Sequence, residues 1–90
     1  MEESFGIASF RSRQQVMAFE RTLRRLGLSV SVMTTPRAVA LGCGLSVRFE
    51  LEDVEQVRRV VGKLPVTGLI GLYRVHAHGP RRLTALTIRG

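Results

Sequence analysis

Polar and hydrophobic positions in the first third of the chain predict a strand followed by a helix. Residues 5–10 form a short apolar segment typical of a strand. Ser12, with Gln15 three residues later, has the spacing of a capping box, which favours a helix start at this point. The apolar residues that follow recur every three or four positions and would share one helical face: Val16, Phe19, Leu23 and Leu26. Gly27 is expected to end this helix.

The middle of the chain continues with strands and one further helix. Residues 28–33 and 45–49 each alternate apolar and polar side chains, which is typical of strands with one buried face. Acidic side chains in residues 50–53 favour a helix start there, because negative charge stabilises a helix N-terminus. The predicted apolar face of this second helix consists of Val54, Val57, Val60 and Val61. Gly62 and Pro65 are expected to end it, and a fourth strand should follow from residue 71 to residue 75.

The resulting order of elements, β-α-β-β-α-β, predicts an α+β fold of the ferredoxin-like, split βαβ type. In this arrangement two helices cover one face of a four-stranded antiparallel sheet. We expect residues 1–78 to form a single domain of this type, and residues 79–90 to be a basic C-terminal extension or an edge strand. The apolar residues between positions 83 and 88 would suit an extra strand, and two such edges could pair into a homodimer.

Composition limits the possible partners and location. The 90 residues carry a net charge of +7, and such an excess attracts anions such as nucleic acid, phosphate or acidic protein surfaces. The single cysteine cannot form an internal disulfide, which fits a reducing compartment. No apolar run approaches the ~18 residues that a membrane span requires. Because the N-terminus also lacks a signal-peptide pattern, we expect a cytoplasmic protein without a membrane partner.

Cys43 is the candidate functional residue. It lies between Gly42 and Gly44 in a turn-forming segment between two predicted strands. Glycine has no Cβ, so the sulfur and the neighbouring amides should be uncrowded and open to another molecule. A lone cysteine in a small domain is, however, commonly an inert apolar side chain. The flanking glycines and the loop position strengthen the case for a reactive thiol without excluding that structural role.

The predicted topology also places Cys43 within the fold. In a split βαβ unit, the first helix starts at the same end of the sheet as the loop after the second strand. Cys43 should therefore lie beside the turn formed by residues 10–13. A helix N-terminus and nearby arginines stabilise a thiolate, the reactive form of cysteine, and Arg37 in the same loop could add to this effect. Arg48 on the third strand is expected to contribute less, because its side chain could point away.

An ordered set of these residues resembles a known family. The residues that carry the resemblance are Phe10, Ser12, Glu20, Pro36, Arg37, Cys43, Gly44, Leu45, Arg48, Phe49, Gly71 and Tyr73. Over about residues 5–75 the chain is similar to the Se/S carrier protein-like family of short bacterial domains. Residues 39–42 depart from the family pattern, because they are apolar or glycine where the family tends to have small hydroxylic residues.

The resemblance implies that Cys43 is a carrier thiol rather than part of a turnover enzyme. Cys43 would accept sulfane sulfur or selenium from a cysteine desulfurase-like donor and pass it to an acceptor protein by thiol exchange. Arg37 would favour the anion, and amides around Cys43 and Ser12 could donate to it. The residues expected to support the thiol are Ser12, Arg13, Arg37, Gly42 and Gly44. Neither a cofactor nor a metal is implied, and the sequence does not distinguish sulfur from selenium as the cargo.

Other functions are compatible with the same residues. A small basic ferredoxin-like module could bind RNA or a partner protein while Cys43 is only structural, although aromatic residues for base stacking are few. His76 and His78 could face the same side, but zinc usually takes three or four protein ligands and Cys43 is predicted at the other end of the sheet. The same separation argues against a cysteine–histidine nucleophilic enzyme.

Overall fold

The chain folds into an antiparallel sheet with two helices, in a computed structural model that describes residues 4–37, 39, 42–63, 67–76 and 83–86. The elements are β1 (Phe5–Phe10), α1 (Arg13–Arg25), β2 (Val30–Thr34), β3 (Leu45–Phe49), a 3₁₀ turn (Leu51–Asp53), α2 (Val54–Lys63), β4 (Leu69–Val75) and β5 (Leu83–Leu86). Within these described residues, the strand order is β2-β3-β1-β4-β5. All neighbouring strands are antiparallel. Neither helix of the described residues is long and apolar enough to cross a membrane.

This architecture confirms the predicted α+β fold. The first four strands and the two helices follow the ferredoxin-like arrangement. β5 pairs with β4, so the sheet of the described residues has five strands, as expected if an extra C-terminal strand forms. A pairing of two chains through this segment stays a prediction, and β5 already occupies the outer edge of β4 within its own sheet.

The boundaries of three elements differ from the sequence prediction. β2 begins at Val30, because residues 26–28 still complete the end of α1. β4 begins two residues early at Leu69, which pairs with Phe10 of β1. α2 continues through Gly62 for one more residue, since a helix tolerates glycine in its last turn at a cost of only about 1 kcal/mol.

Local capping defines both ends of α1. Ser12 is the N-cap: its Oγ accepts a hydrogen bond from the N–H of Gln15 (3.3 Å), and the Gln15 Oε1 accepts one from the N–H of Ser12 (3.1 Å). At the other end Gly27 has a φ of +89°. The N–H of Leu28 donates to the carbonyl of Leu23 (3.1 Å), which completes a Schellman motif. The predicted capping box and the predicted glycine stop are both confirmed.

The main core lies between the helices and one face of the sheet. Its buried residues are Ala8, Phe10, Val16, Phe19, Leu23, Val47, Phe49, Val57, Val60 and Leu72. The predicted apolar face of α2 is confirmed, because all four of its valines are buried in this core or packed against it. The prediction for α1 holds except at Leu26, which is 59% exposed. Leu26 is the C-cap residue, beyond the last turn of the helix that packs on the sheet.

A second, smaller apolar cluster lies on the opposite face of the sheet. Phe5, Ile7 and Val75 are buried there, with Met33 and Tyr73 packed against them. The guanidinium carbon of Arg48 lies 4.0 Å from the centroid of the Phe5 ring, in a cation–π arrangement. Side chains from the strands therefore cover part of this face of the sheet.

Candidate functional site

Cys43 lies against the end of β1, where the chain turns into α1. Its backbone N–H donates a hydrogen bond to the carbonyl of Phe10 at 3.2 Å. The carbonyl of Gly44 accepts a hydrogen bond from the N–H of Thr35 at 2.8 Å. The backbone is thus held on both sides of the thiol. The predicted position of Cys43, beside the turn formed by residues 10–13, is confirmed.

The two glycines that flank Cys43 have different structural reasons to be glycine. Gly42 has a φ of +102° and Gly44 a φ of +87°, which L side chains rarely adopt. A Cβ on Gly42 would lie 2.5 Å from the carbonyl oxygen of Phe10 and 2.7 Å from Cδ1 of Ile70. A Cβ on Gly44 would meet nothing within 4 Å. Gly42 therefore permits close approach of the loop to β1, whereas Gly44 satisfies a backbone conformation beside open space.

The side chain of Cys43 is a free, exposed thiol. The Sγ donates a weak hydrogen bond to the carbonyl oxygen of Leu45, at a distance of 3.8 Å. A cysteine that served as an apolar filler would be buried among other side chains. The exposure of Cys43 therefore does not fit a packing role and leaves its sulfur accessible to another molecule.

Two amides expected to donate to an anion on the sulfur already have other acceptors. The N–H of Ser12 donates to the side chain of Gln15, and the N–H of Cys43 donates to the carbonyl of Phe10. Since each backbone amide has one hydrogen, neither is available to the sulfur in this conformation. The capping box and the loop contact use these two amides, and donation by other amides around Cys43 and Ser12 stays a prediction.

Exposed arginines lie on both segments that meet at Cys43. Arg11 and Arg13 belong to the turn between β1 and α1, and Arg37 belongs to the loop between β2 and β3. Arg48 is not part of this group, because its guanidinium lies over the ring of Phe5 on the face of the sheet away from the helices. Three exposed arginines therefore belong to the two segments that meet at the thiol.

A hydroxyl cluster joins β1, β3 and the first residue of the loop after β2, and the sequence pattern does not predict it. The Oγ of Ser46 lies 2.8 Å from the Oγ of Ser9 and 2.6 Å from the Oγ1 of Thr35. Ser9 and Ser46 are almost fully buried. Ser9 directly precedes Phe10, which accepts the hydrogen bond from Cys43. The pairing of Ser9 with Ser46 across β1 and β3 brings these hydroxyls together, and strand pairing cannot be read from either segment alone.

The histidines lie away from the thiol. His76 follows Val75, which pairs with Phe5 at the start of β1, whereas Cys43 contacts the end of β1. The Nε2 of His76 lies 2.6 Å from the Oγ1 of Thr84. His78 is outside the described residues. No group of three or more His, Cys, Asp or Glu residues that could hold a metal ion occurs in the part of the chain that the structure describes.

Comparison with known proteins adds a finding that is independent of this geometry. No curated protein and no solved structure matches the chain significantly. The family model described as "Putative Se/S carrier protein-like" matches residues 5–69, which run from the start of β1 to the start of β4 and include Cys43. The match extends over well more than half of the chain and confirms the resemblance seen in the sequence. The chain belongs to the Se/S carrier protein-like family.

Proposed function

We propose that this protein carries sulfane sulfur or selenium on the Sγ of Cys43, between a donor protein and an acceptor protein. The observation that supports this most directly is the exposure of the thiol in a loop hydrogen-bonded to the end of β1. Membership of the Se/S carrier protein-like family supports the same class of function. Cys43 is the single cysteine of the chain, so it is the one thiol that can hold the cargo.

The proposed chemistry is a pair of thiol exchanges. The Cys43 thiolate attacks the terminal sulfur of a persulfide on a cysteine desulfurase-like donor. The S–S bond of the donor breaks, its cysteine leaves as a thiolate, and Cys43 becomes a persulfide. An acceptor thiolate then attacks the outer sulfur of that persulfide and releases the Cys43 thiolate. No electrons are gained or lost overall, and a selenium atom bound to the donor sulfur would move in the same way.

The neighbouring residues have supporting roles in this proposal. Arg13 and Arg37 add positive charge to the two segments that meet at Cys43, which attracts an anionic sulfur donor. Gly42 and Gly44 hold the turn that leaves the sulfur exposed. Ser12 acts indirectly, because it caps the helix whose first turn lies beside the loop. None of these residues exchanges a bond with the cargo.

Intact-mass spectrometry tests the carrier proposal. The purified protein is incubated with a cysteine desulfurase and cysteine, and in parallel with inorganic polysulfide as a small donor. We expect a gain of about one sulfur atom that is removed by dithiothreitol, because a persulfide is reducible. Cys43→Ser is the matched control and should gain nothing. If the wild-type chain gains no reducible sulfur from either donor, the carrier proposal is wrong.

The structure gives little support to RNA binding through the sheet. RNA-binding ferredoxin-like domains stack bases on aromatic side chains exposed on the sheet. Here Phe5, Phe10, Phe19 and Phe49 are buried, and Tyr73 packs against the smaller apolar cluster. A base-stacking surface is therefore not formed by the aromatic residues of this chain.

A further inference from the structure

Four exposed cations belong to the end of the sheet that carries Cys43. The exposed cations at this end are Arg11, Arg13, Arg37 and Lys63. They come from the turn after β1, the loop after β2 and the last residue of α2. The N–H of Cys43 bonds to Phe10, and the N–H of Arg11 bonds to the carbonyl of Gly68 just before β4 at 2.8 Å, so the two segments that carry the arginines meet. Lys63 ends α2 on this side, because α2 returns from the far end of β3. We call this surface the thiol end.

The carboxylates that follow β3 lie at the opposite end of the strands, where Glu52 and Glu55 are exposed and Glu50 and Asp53 are partly buried. Glu50, Glu52, Asp53 and Glu55 follow β3, which starts beside Cys43 at Leu45 and ends at Phe49. The four residue steps of this strand cover about 13 Å. Glu20 is buried within α1 and ion-paired with Arg24. Glu2 and Glu3 are outside the described residues. Among the residues that the structure describes, no carboxylate lies at the thiol end.

The cations of the thiol end are not neutralised by the ion pairs seen in the described residues. Those pairs join Arg24 to Glu20 and Arg58 to Glu55, within α1 and α2 respectively. Unneutralised charges of one sign create a surface potential that attracts and orients a charged partner before contact. Exposed arginines occur elsewhere too, but at the thiol end no carboxylate of the described residues lies beside the cations.

We propose that the thiol end is a docking surface for an acidic face on the protein that exchanges sulfur with Cys43. This inference rests on the proposed carrier function and names the chemistry of its partner. The cations come from three separate segments of the chain, which suits a broad acidic surface better than a single small anion. An acidic partner would be attracted to the thiol end, where no carboxylate of the described residues opposes it, so Cys43 would face the partner on encounter.

Two charge-matched variants separate this surface from the overall charge. Arg11→Gln, Arg13→Gln and Arg37→Gln together neutralise the thiol end. Arg21→Gln, Arg25→Gln and Arg74→Gln together neutralise three other exposed arginines. Each substitution removes one positive charge, so both triple variants have a net charge of +4 instead of +7. A difference between the two variants must therefore come from the position of the charges.

The probe is a peptide disulfide in which a central cysteine is flanked on each side by four glutamates and is bonded to 2-thiopyridine. The Cys43 thiolate attacks the peptide sulfur, the S–S bond breaks, and 2-thiopyridone leaves and is followed by its absorbance. An otherwise identical peptide with glutamines measures the uncharged rate. The ratio of the two rates reports docking, because changes in the reactivity of the thiol affect both peptides alike.

For the wild-type chain at low salt we expect the glutamate peptide to react about tenfold faster, with the ratio falling towards one in 0.5 M salt. The thiol-end variant should lose most of this preference, and the matched variant should keep it. Equal ratios in the two triple variants would overturn the docking surface. The docking surface would also be overturned if an oligouridylate inhibited the reaction more strongly than a polyglutamate of equal charge. The surface would then favour nucleic acid over an acidic protein.

The polysulfide experiment makes the two proposals separable. If Cys43 gains sulfur from polysulfide while the peptide ratio is one, the carrier function stands and the docking surface is wrong. If the peptide ratio is high in the wild-type chain and is lost only in the thiol-end variant, the acidic docking surface is supported even where no persulfide forms. In that second case the absence of a persulfide would contradict the carrier proposal alone.

Discussion

Replacing Gly42 or Gly44 by alanine should distinguish two reasons for glycine beside Cys43: close packing against β1 and a positive φ angle. Both glycines have positive φ, so both substitutions strain the backbone. For Gly44→Ala this strain, about 1–2 kcal/mol, is partly offset by the smaller entropy of alanine in the unfolded chain, which leaves a loss of about 1 kcal/mol. Nothing lies within 4 Å of the added methyl group, so no packing cost is expected.

Gly42→Ala should cost more, because its methyl group would lie 2.5 Å from the carbonyl oxygen of Phe10. Ile70 can rotate its side chain away, but the Phe10 carbonyl belongs to the central strand β1 and accepts the hydrogen bond from Cys43. Relieving the overlap therefore means moving the loop. Overpacking of this kind costs about 1–3 kcal/mol, so we expect a total loss of about 3 kcal/mol for Gly42→Ala.

Equilibrium unfolding in urea, followed by far-ultraviolet circular dichroism, measures both losses; the chain has no tryptophan to report by fluorescence. Hydrogen exchange at the Cys43 amide supplies a local readout. Exchange should be faster in Gly42→Ala, because the bond to Phe10 is weakened, and nearly unchanged in Gly44→Ala. If the two variants lose the same stability and the Cys43 amide stays protected in both, the close approach to β1 is not the reason for glycine at position 42.

Three further substitutions test other parts of the fold by urea unfolding. Ser46→Ala should lose about 1–2 kcal/mol, because it leaves the buried hydroxyl of Ser9 without this partner, and the double variant with Ser9→Ala should lose less than the sum of the single variants. Ser12→Ala should lose about 1 kcal/mol through the N-cap, whereas Ser29→Ala, on an exposed residue outside any helix, should change stability by less than about 0.5 kcal/mol. Gly62→Ala should stabilise the protein by about 0.5–1 kcal/mol, since its methyl group would meet no other atom and alanine favours the helix.

Each of these has an outcome that contradicts its reasoning. Additive losses in the serine double variant would mean that the two hydroxyls are not coupled. Equal effects at Ser12 and Ser29 would remove the capping argument. A destabilising alanine at position 62 would show that the last turn of α2 is not free to take a side chain.

Local signals account for most of what the sequence predicts correctly. The capping box at Ser12 and the glycine stop at Gly27 depend on residues within a few positions of one another. The loop that contains Cys43 could also be placed, because the split βαβ order requires the loop after β2 to lie beside the start of α1. The order of elements alone is therefore enough to predict that the thiol lies beside the turn between β1 and α1.

Features that depend on pairing between distant segments could not be predicted in this way. The hydroxyls of Ser9 and Ser46 are 37 positions apart in sequence and meet only because β1 pairs with β3. The amides of Ser12 and Cys43 look available in the sequence, and the structure shows that other acceptors use them. Leu26 fits the apolar spacing of α1, but it is the C-cap residue and its side chain is exposed.

The two backbone hydrogen bonds around Cys43 also limit how far its sulfur can travel. The loop is held to β1 at Cys43 and to the end of β2 at Gly44, so the thiol cannot swing out on a long flexible arm while these bonds are intact. A partner whose reacting sulfur lies at the bottom of a deep cleft would be out of reach. The proposed transfer therefore requires the mobile element to belong to the partner, which must bring its own cysteine forward on a projecting loop or tail.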